Sequence, residues 1–234
     1  MMYKALLTFT FVIMLATLTS ELLSAQELQP TETESVLNVF VSSMKNVPRQ
    51  GEQIKLVGKK SKKIFSGITN KEGKFSILIP EGDSYEILYK TFADSVEYNT
   101  IDVPKAEGKY TFDVDLKYDP PQVYTLKNVL FETGKSILRP ESNRALNDLV
   151  EILKLKPKMI IEISGHTDNI GSPEANLKLS LERATAVRNY LIQHGIVATR
   201  LTAKGYGDTQ AVETNDTDQG RAQNRRTEVR IISE

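Results

Sequence analysis

The chain has no cysteine among its 234 residues and only two histidines. The missing thiol excludes disulfides, thiolate metal sites, a cysteine nucleophile and a lipid on an N-terminal cysteine. The histidines, His166 and His194, lie far apart and make a poor zinc set without cysteine. The calcium-loop pattern is absent, although Asp216 and Asp218 share an acidic turn. No metal or cofactor is expected. No Gly-x-Ser-x-Gly elbow occurs, so His166 and Asp168 with Ser164 or Ser180 lack the setting of a hydrolase, and the chain does not read as an enzyme. Net charge is absent too, with 30 Lys+Arg against 30 Asp+Glu. A broad electrostatic grip on nucleic acid is therefore excluded. After the N-terminal region no run is long and apolar enough to span a bilayer as a helix.

What is present begins with an export signal. Lys4 supplies a positive charge, Ala5 to Leu18 is apolar apart from threonines, and Ser20, Ser24 and Ala25 are small. This pattern predicts a signal peptide over residues 1–25, cleaved after Ala25. The competing reading is an uncleaved anchor from Leu6 to Leu23, with Glu21 inside it. Either reading exports the rest of the chain. Residues 26–35 form a polar lead-in containing Pro30.

Between residues 36 and 118, short alternating runs are separated by turn chemistry: VLNVFVS, EQIKLVG, KIFSGIT, KFSILIP, YEILYKT and YTFDVDL. Asn70-Lys71-Glu72-Gly73, Pro80-Glu81-Gly82-Asp83 and Ala106-Glu107-Gly108 supply the turns. Six such strands predict an antiparallel all-β sandwich, with Phe40, Phe65, Phe75 and Tyr85 in its core. Lys55, Lys59, Lys60, Lys62 and Lys63 read as a solvated hairpin tip. The span is too short for a typical eight-stranded transmembrane barrel. Residues 119–121, Asp-Pro-Pro, form a stiff linker.

From Gln122 the rhythm changes to strands alternating with helices. Thr125–Phe131 reads as a strand and Pro140–Leu155 as a helix with Leu146, Leu149, Val150 and Leu153 inward. A strand from Met159 follows. Ser180 then suits the cap of a helix running to His194, with Leu181, Ala184, Val187, Tyr190 and Leu191 inward and Gly195 ending it. Strands at Leu201–Tyr206 and Thr227–Ile232 flank a short helix or turn at Gly220–Arg225. The expected fold class is two domains, the all-β sandwich and then an α+β two-layer sandwich over residues 122–234, β-α-β-α-β with a closing strand.

The most informative stretch is ISGHTDNIGSPEANLKLSLERATAV, Ile163 to Val187. It puts an acid, Asp168, in a Gly-flanked loop after a strand. It puts a base, Arg183, in what reads as the first turn of a helix. A carboxylate and a guanidinium converging there can grip a zwitterion, the acid taking an ammonium and the fork of the guanidinium a carboxylate. The helix start at Ser180 would add its partial positive charge under that carboxylate.

Five blocks occur in order: VLFETGKSILRPES, GHTDNIG, NLKLSLERATAVRNYL, GYGDTQ and GRAQNRRTEVRI. Together they closely resemble the OmpA/MotB C-terminal domain family. The resemblance implies the two-layer fold above and non-covalent binding of peptidoglycan through the diaminopimelate of its stem peptide. It carries ligand binding to Asp168 and Arg183, and supporting roles to Thr167, Asn176, Leu179, Arg225 and Arg226. Structural salt bridging is the other reading of Arg225 and Arg226. One departure is Thr209-Gln210-Ala211, where the family often has proline. Residues 67–90, GITNKEGKFSILIPEGDSYEILYK, resemble carboxypeptidase-regulatory-like, Ig-like modules, which implies a spacer or adhesive role. An outer-membrane or other envelope protein is the partner expected for that module, and the periplasm and cell wall the expected place. A stator-like anchored protein and a wall-modifying enzyme are the alternatives from other classes.

Overall fold

A computed structural model describes residues 28–92 and 94–234. The export signal falls outside the described residues. Among the described residues no helix is long and apolar enough to cross a membrane.

Seven strands come first: β1 (Glu34–Ser42), β2 (Gln53–Gly58), β3 (Ile64–Ile68), β4 (Lys74–Pro80), β5 (Asp83–Lys90), β6 (Ser95–Val103) and β7 (Thr111–Lys117). They form two sheets, ordered β4-β1-β7 and β3-β2-β5-β6. Alternate residues of each strand face a shared apolar cluster that includes Leu37, Val39, Ile54, Leu56, Ile79, Tyr85, Ile87 and Leu116. This follows from the two-residue period of extended chain.

Three expectations change here. Strand β6 joins the six runs legible in the sequence. It is a sheet edge exposed along most of its length, so its residues carry little apolar alternation. The three-stranded sheet is mixed rather than antiparallel, because β1 and β7 run parallel with Leu37 beside Phe112. Phe40 is outside the core. It shares the opposite face of β1 with Asn38, and Lys74 lies 5.7 Å over its ring.

The remaining elements are β8 (Val123–Thr125), α1 (Asn143–Leu155), β9 (Ile160–Gly165), α2 (Pro173–Gln193), β10 (Leu201–Gly205), α3 (Asp218–Asn224) and β11 (Thr227–Ser233). The sheet order is β10-β9-β11-β8. β9 pairs parallel to β10 and antiparallel to β11. Leu146, Leu149, Val150 and Leu153 of α1 and Ala184, Val187 and Leu191 of α2 pack on Ile161, Ile163, Leu201, Val229 and Ile231 of the sheet. The strand expected over Thr125–Phe131 lies earlier and is shorter: β8 is Val123–Thr125, sharing only Thr125 with that span. Asn128 adopts φ 62°, a left-handed geometry that ends an extended run. Phe131 then bridges to Leu138 across a tight turn.

The larger correction concerns α2. Its cap is Ser172, whose side chain accepts from Ala175 N at 3.2 Å, with Pro173 opening the helix. Ser180 is therefore mid-helix and Arg183 lies in the third turn. The positive helix end is too far along the axis to act on a carboxylate at Arg183. Ser180 is buried; its hydroxyl donates to Leu177 O at 2.8 Å and accepts from Gly207 N at 2.9 Å. Leu181 is 45% exposed rather than inward. The reason is close approach of backbone: a Cβ on Gly165 would lie 2.1 Å from Ser180 O, and one on Gly205 2.5 Å from Leu181 N. Helix and sheet touch there without side chains between them.

Buried charge joins the early strands to the later elements. Glu52 accepts from Arg49 Nε at 2.8 Å, Lys156 Nζ at 2.6 Å and the Tyr118 hydroxyl at 2.9 Å. Arg49 also reaches Glu234 at 2.6 Å.

Candidate ligand-binding site

The loop after β9 is fixed by backbone bonds from three segments. His166 N donates to Arg226 O at 3.0 Å, Thr167 N to Gly207 O at 2.9 Å, and Tyr206 N to Gly165 O at 2.9 Å. His166 is buried and stacks on Tyr206 with ring centroids 5.3 Å apart. Burial, then the Arg226 charge, lower its pKa to about 4, with Glu228 opposing. The imidazole is thus neutral near pH 7, and the 3.5 Å approach of Glu228 is not an ion pair. Among the described residues neither ring nitrogen has a hydrogen-bond partner, nor does the buried Thr167 hydroxyl.

Asp168 follows at the mouth of this loop. Its backbone carbonyl accepts from Asn176 Nδ2 at 3.2 Å, tying the loop to the first turn of α2. One carboxylate oxygen accepts from Ile170 N at 3.0 Å, and the other from Arg225 Nη1 at 2.6 Å. The Asp168 side chain is 11% exposed and that of Arg225 47%.

Arg183 is held differently. Its Nε donates to Lys135 O at 3.0 Å, and its guanidinium carbon lies 5.2 Å from the centre of the Phe131 ring. The turn between Phe131 and Leu138 supplies both contacts, with Gly134 at φ 68°. Among the described residues its two Nη groups take no hydrogen bond, which leaves the fork available to a carboxylate. Burial and then the Arg225 charge lower the Arg183 pKa, while Asp168 partly offsets them. At the pH of any cell it stays charged. Asp168, Arg183 and Arg225 therefore share one electrostatic neighbourhood carrying a single net positive charge.

Arg225 owes its place to Asn224. That buried side chain accepts from Val212 N and Glu213 N at 2.8 and 3.0 Å, and donates to Glu213 O and Asn215 Oδ1 at 2.8 and 2.9 Å. All of its hydrogen-bonding capacity is used to fix the loop before α3. Arg226 turns inward and donates to Glu228 at 2.7 Å. Leu179 is half-buried on α2. The structure thus gathers Asp168, Thr167, Asn176, Arg183 and Arg225, and directs Arg226 into the protein. Sequence reasoning missed Phe131, Lys135 and Asn224. Their only signal was membership of the FETGKS and QNRR blocks, because a backbone carbonyl or a ring face has no residue code of its own.

Residues 130–225 match the OmpA family, so this segment is OmpA-like. The chain is 42% identical over 114 residues to a photosystem I P700 chlorophyll a apoprotein A2 of Gloeobacter violaceus, covering 46% of this chain but 13% of that protein. It is 35% identical over 101 residues to the peptidoglycan-binding protein ArfA of Mycobacterium bovis, covering 43% of this chain and 31% of ArfA. It thus spans less than a third of the length of either of these curated relatives. Among solved structures it is similar to the cell wall anchor of the T6SS from Pseudomonas aeruginosa, at 35% identity and TM-score 0.43. That likeness covers 48% of this chain and 81% of the other.

Proposed function

We propose that the chain binds peptidoglycan non-covalently, through the diaminopimelate residue of the stem peptide, and so tethers the cell envelope or a partner to the wall. The observation that carries this reading is an Arg183 guanidinium held by Lys135 O and the Phe131 ring within electrostatic reach of the Asp168 carboxylate. Diaminopimelate in the stem peptide keeps a free ammonium and carboxylate on one carbon. The ammonium meets Asp168 and the carboxylate meets Arg183, with Thr167, Asn176, Leu179, Arg225 and Arg226 shaping the surroundings. One exposed charge pair contributes only ~1 kcal/mol. Two pairs with backbone hydrogen bonds in a partly dry cleft reach micromolar affinity, on the order of −8 kcal/mol. Many stem peptides on one polymer add avidity. The OmpA-like segment and the peptidoglycan-binding name of a relative support the same reading. The site does no covalent chemistry.

Residues 36–118 act in this reading as an Ig-like spacer or partner-binding module, joined through residues 119–121 to the wall-binding domain at 122–234. Two sheets around one apolar cluster support it. With the signal at residues 1–25, the protein works in the periplasm, at the wall and the outer membrane. Calorimetric titration with meso-diaminopimelate tests the ligand. Wild type is expected to bind, and Asp168→Asn and Arg183→Gln to lose at least tenfold. Equal affinity in all three would remove the proposal.

A further inference from the structure

We propose that Arg225 is a built-in competitor for the ligand's ammonium: its guanidinium holds the Asp168 carboxylate, so an arriving amine must displace it. The inference rests on the reading of Asp168 as the ammonium acceptor. Three observations support it. First, little of Asp168 is open to an arriving cation. One oxygen takes Ile170 N and the other takes Arg225 Nη1 at 2.6 Å, on a side chain 11% exposed. With so little of the carboxylate exposed, a second cation competes with Arg225 for the same oxygen.

Second, Arg225 is the guanidinium of the site that can leave. Arg183 is pinned by the Phe131 ring and Lys135 O, and Arg226 by Glu228. The Arg225 side chain is half exposed, and among the described residues its bond to Asp168 is its only hydrogen bond. Its backbone, fixed by Asn224 next to it, stays in place while the side chain swings.

Third, a displaced Arg225 remains beside Arg183, whose guanidinium already feels its charge. A ligand carboxylate at Arg183 then gains a second cation. Arg225 accordingly opposes a plain amine, which must pay the displacement without return, and assists an amino acid, which recovers it through the carboxylate. This makes Arg225 a specificity determinant that favours amino acids over amines.

The test is NMR titration of the full chain, wild type, Arg225→Gln and Arg225→Lys, with ethylammonium and separately with meso-diaminopimelate, following the Asp168 carboxyl carbon. Losing one partly exposed ion-pair competitor is expected to tighten ethylammonium binding about fivefold in Arg225→Gln. Arg225→Lys keeps a competing cation and should tighten ethylammonium binding less than Arg225→Gln does. Arg225→Gln should bind meso-diaminopimelate no more tightly than wild type. The inference is overturned if ethylammonium binding is not tightened in Arg225→Gln. It is equally overturned if the tightening survives Asp168→Asn in the same background. Tightened ethylammonium binding in a protein that ignores meso-diaminopimelate would uphold the competitor role and remove the diaminopimelate proposal alone.

Discussion

Asp168, Arg183 and His166 sit within one site but are fixed by different forces, and each answers differently to change. Arg183 depends on an aromatic face. Phe131→Ala should leave the fold intact yet weaken diaminopimelate binding several-fold, since an exposed cation–π contact is worth about 0.5–1 kcal/mol and also orients the fork; calorimetry reads this directly. His166 depends on being neutral. Its pKa falls from the ordinary 6.5 to about 4 in the fold. Between those values the unfolded chain holds the extra proton, so stability is complete above about pH 6.5 and declines as pH drops towards 4. The loss is on the order of 3 kcal/mol. His166→Phe keeps the stack on Tyr206 and should flatten the melting temperature over this pH window. An unchanged slope would contradict the assignment. The sequence made Asp168 and Arg183 legible as types at a spacing. It could not reveal that Arg225 holds the Asp168 carboxylate, because that pairing joins residues 57 apart in the chain.

α2 is the element that decides where Arg183 stands. Its start at Ser172 and its contact with Gly165 and Gly205 set both its axial and rotational position. Gly165→Ala would force a Cβ against Ser180 O, where 2.1 Å is available. Overpacking of this kind costs about 1–3 kcal/mol. The helix must move off the sheet and carry Arg183 with it. Lower stability together with weaker ligand binding is expected; weaker stability alone would mean that the site tolerates the shift. Strand and helix positions in the later part were mostly legible, because apolar period and turn residues agree there. The start of α2 was misread because Ser180 precedes an apolar run and so mimics a cap. The real cap, Ser172, stands before Pro173 in a polar segment with no apolar repeat to mark it. β6 was missed for the related reason that an exposed edge has no buried face to write a pattern.

At the scale of the molecule, the Glu52 cluster links the early strands to α1 and β11. Burial alone would raise the Glu52 pKa, but Lys156 and Arg49 outweigh it and hold the carboxyl below its ordinary value. This contribution is present above pH 4.5 and is lost as pH falls through the lower folded value. Glu52→Ala leaves two buried cations with fewer partners and should cost about 3–5 kcal/mol. It should also separate one thermal transition into two, as the early strands and the OmpA-like segment unfold apart. A single transition in the variant would show that other contacts suffice to couple them. The most direct test of wall binding is co-sedimentation of the protein with diaminopimelate-type sacculi, alongside folded Asp168→Ala and Arg183→Ala. Wild type in the pellet with both variants in the supernatant is the predicted result. Equal pelleting of all three, or wild type left in solution, would contradict it.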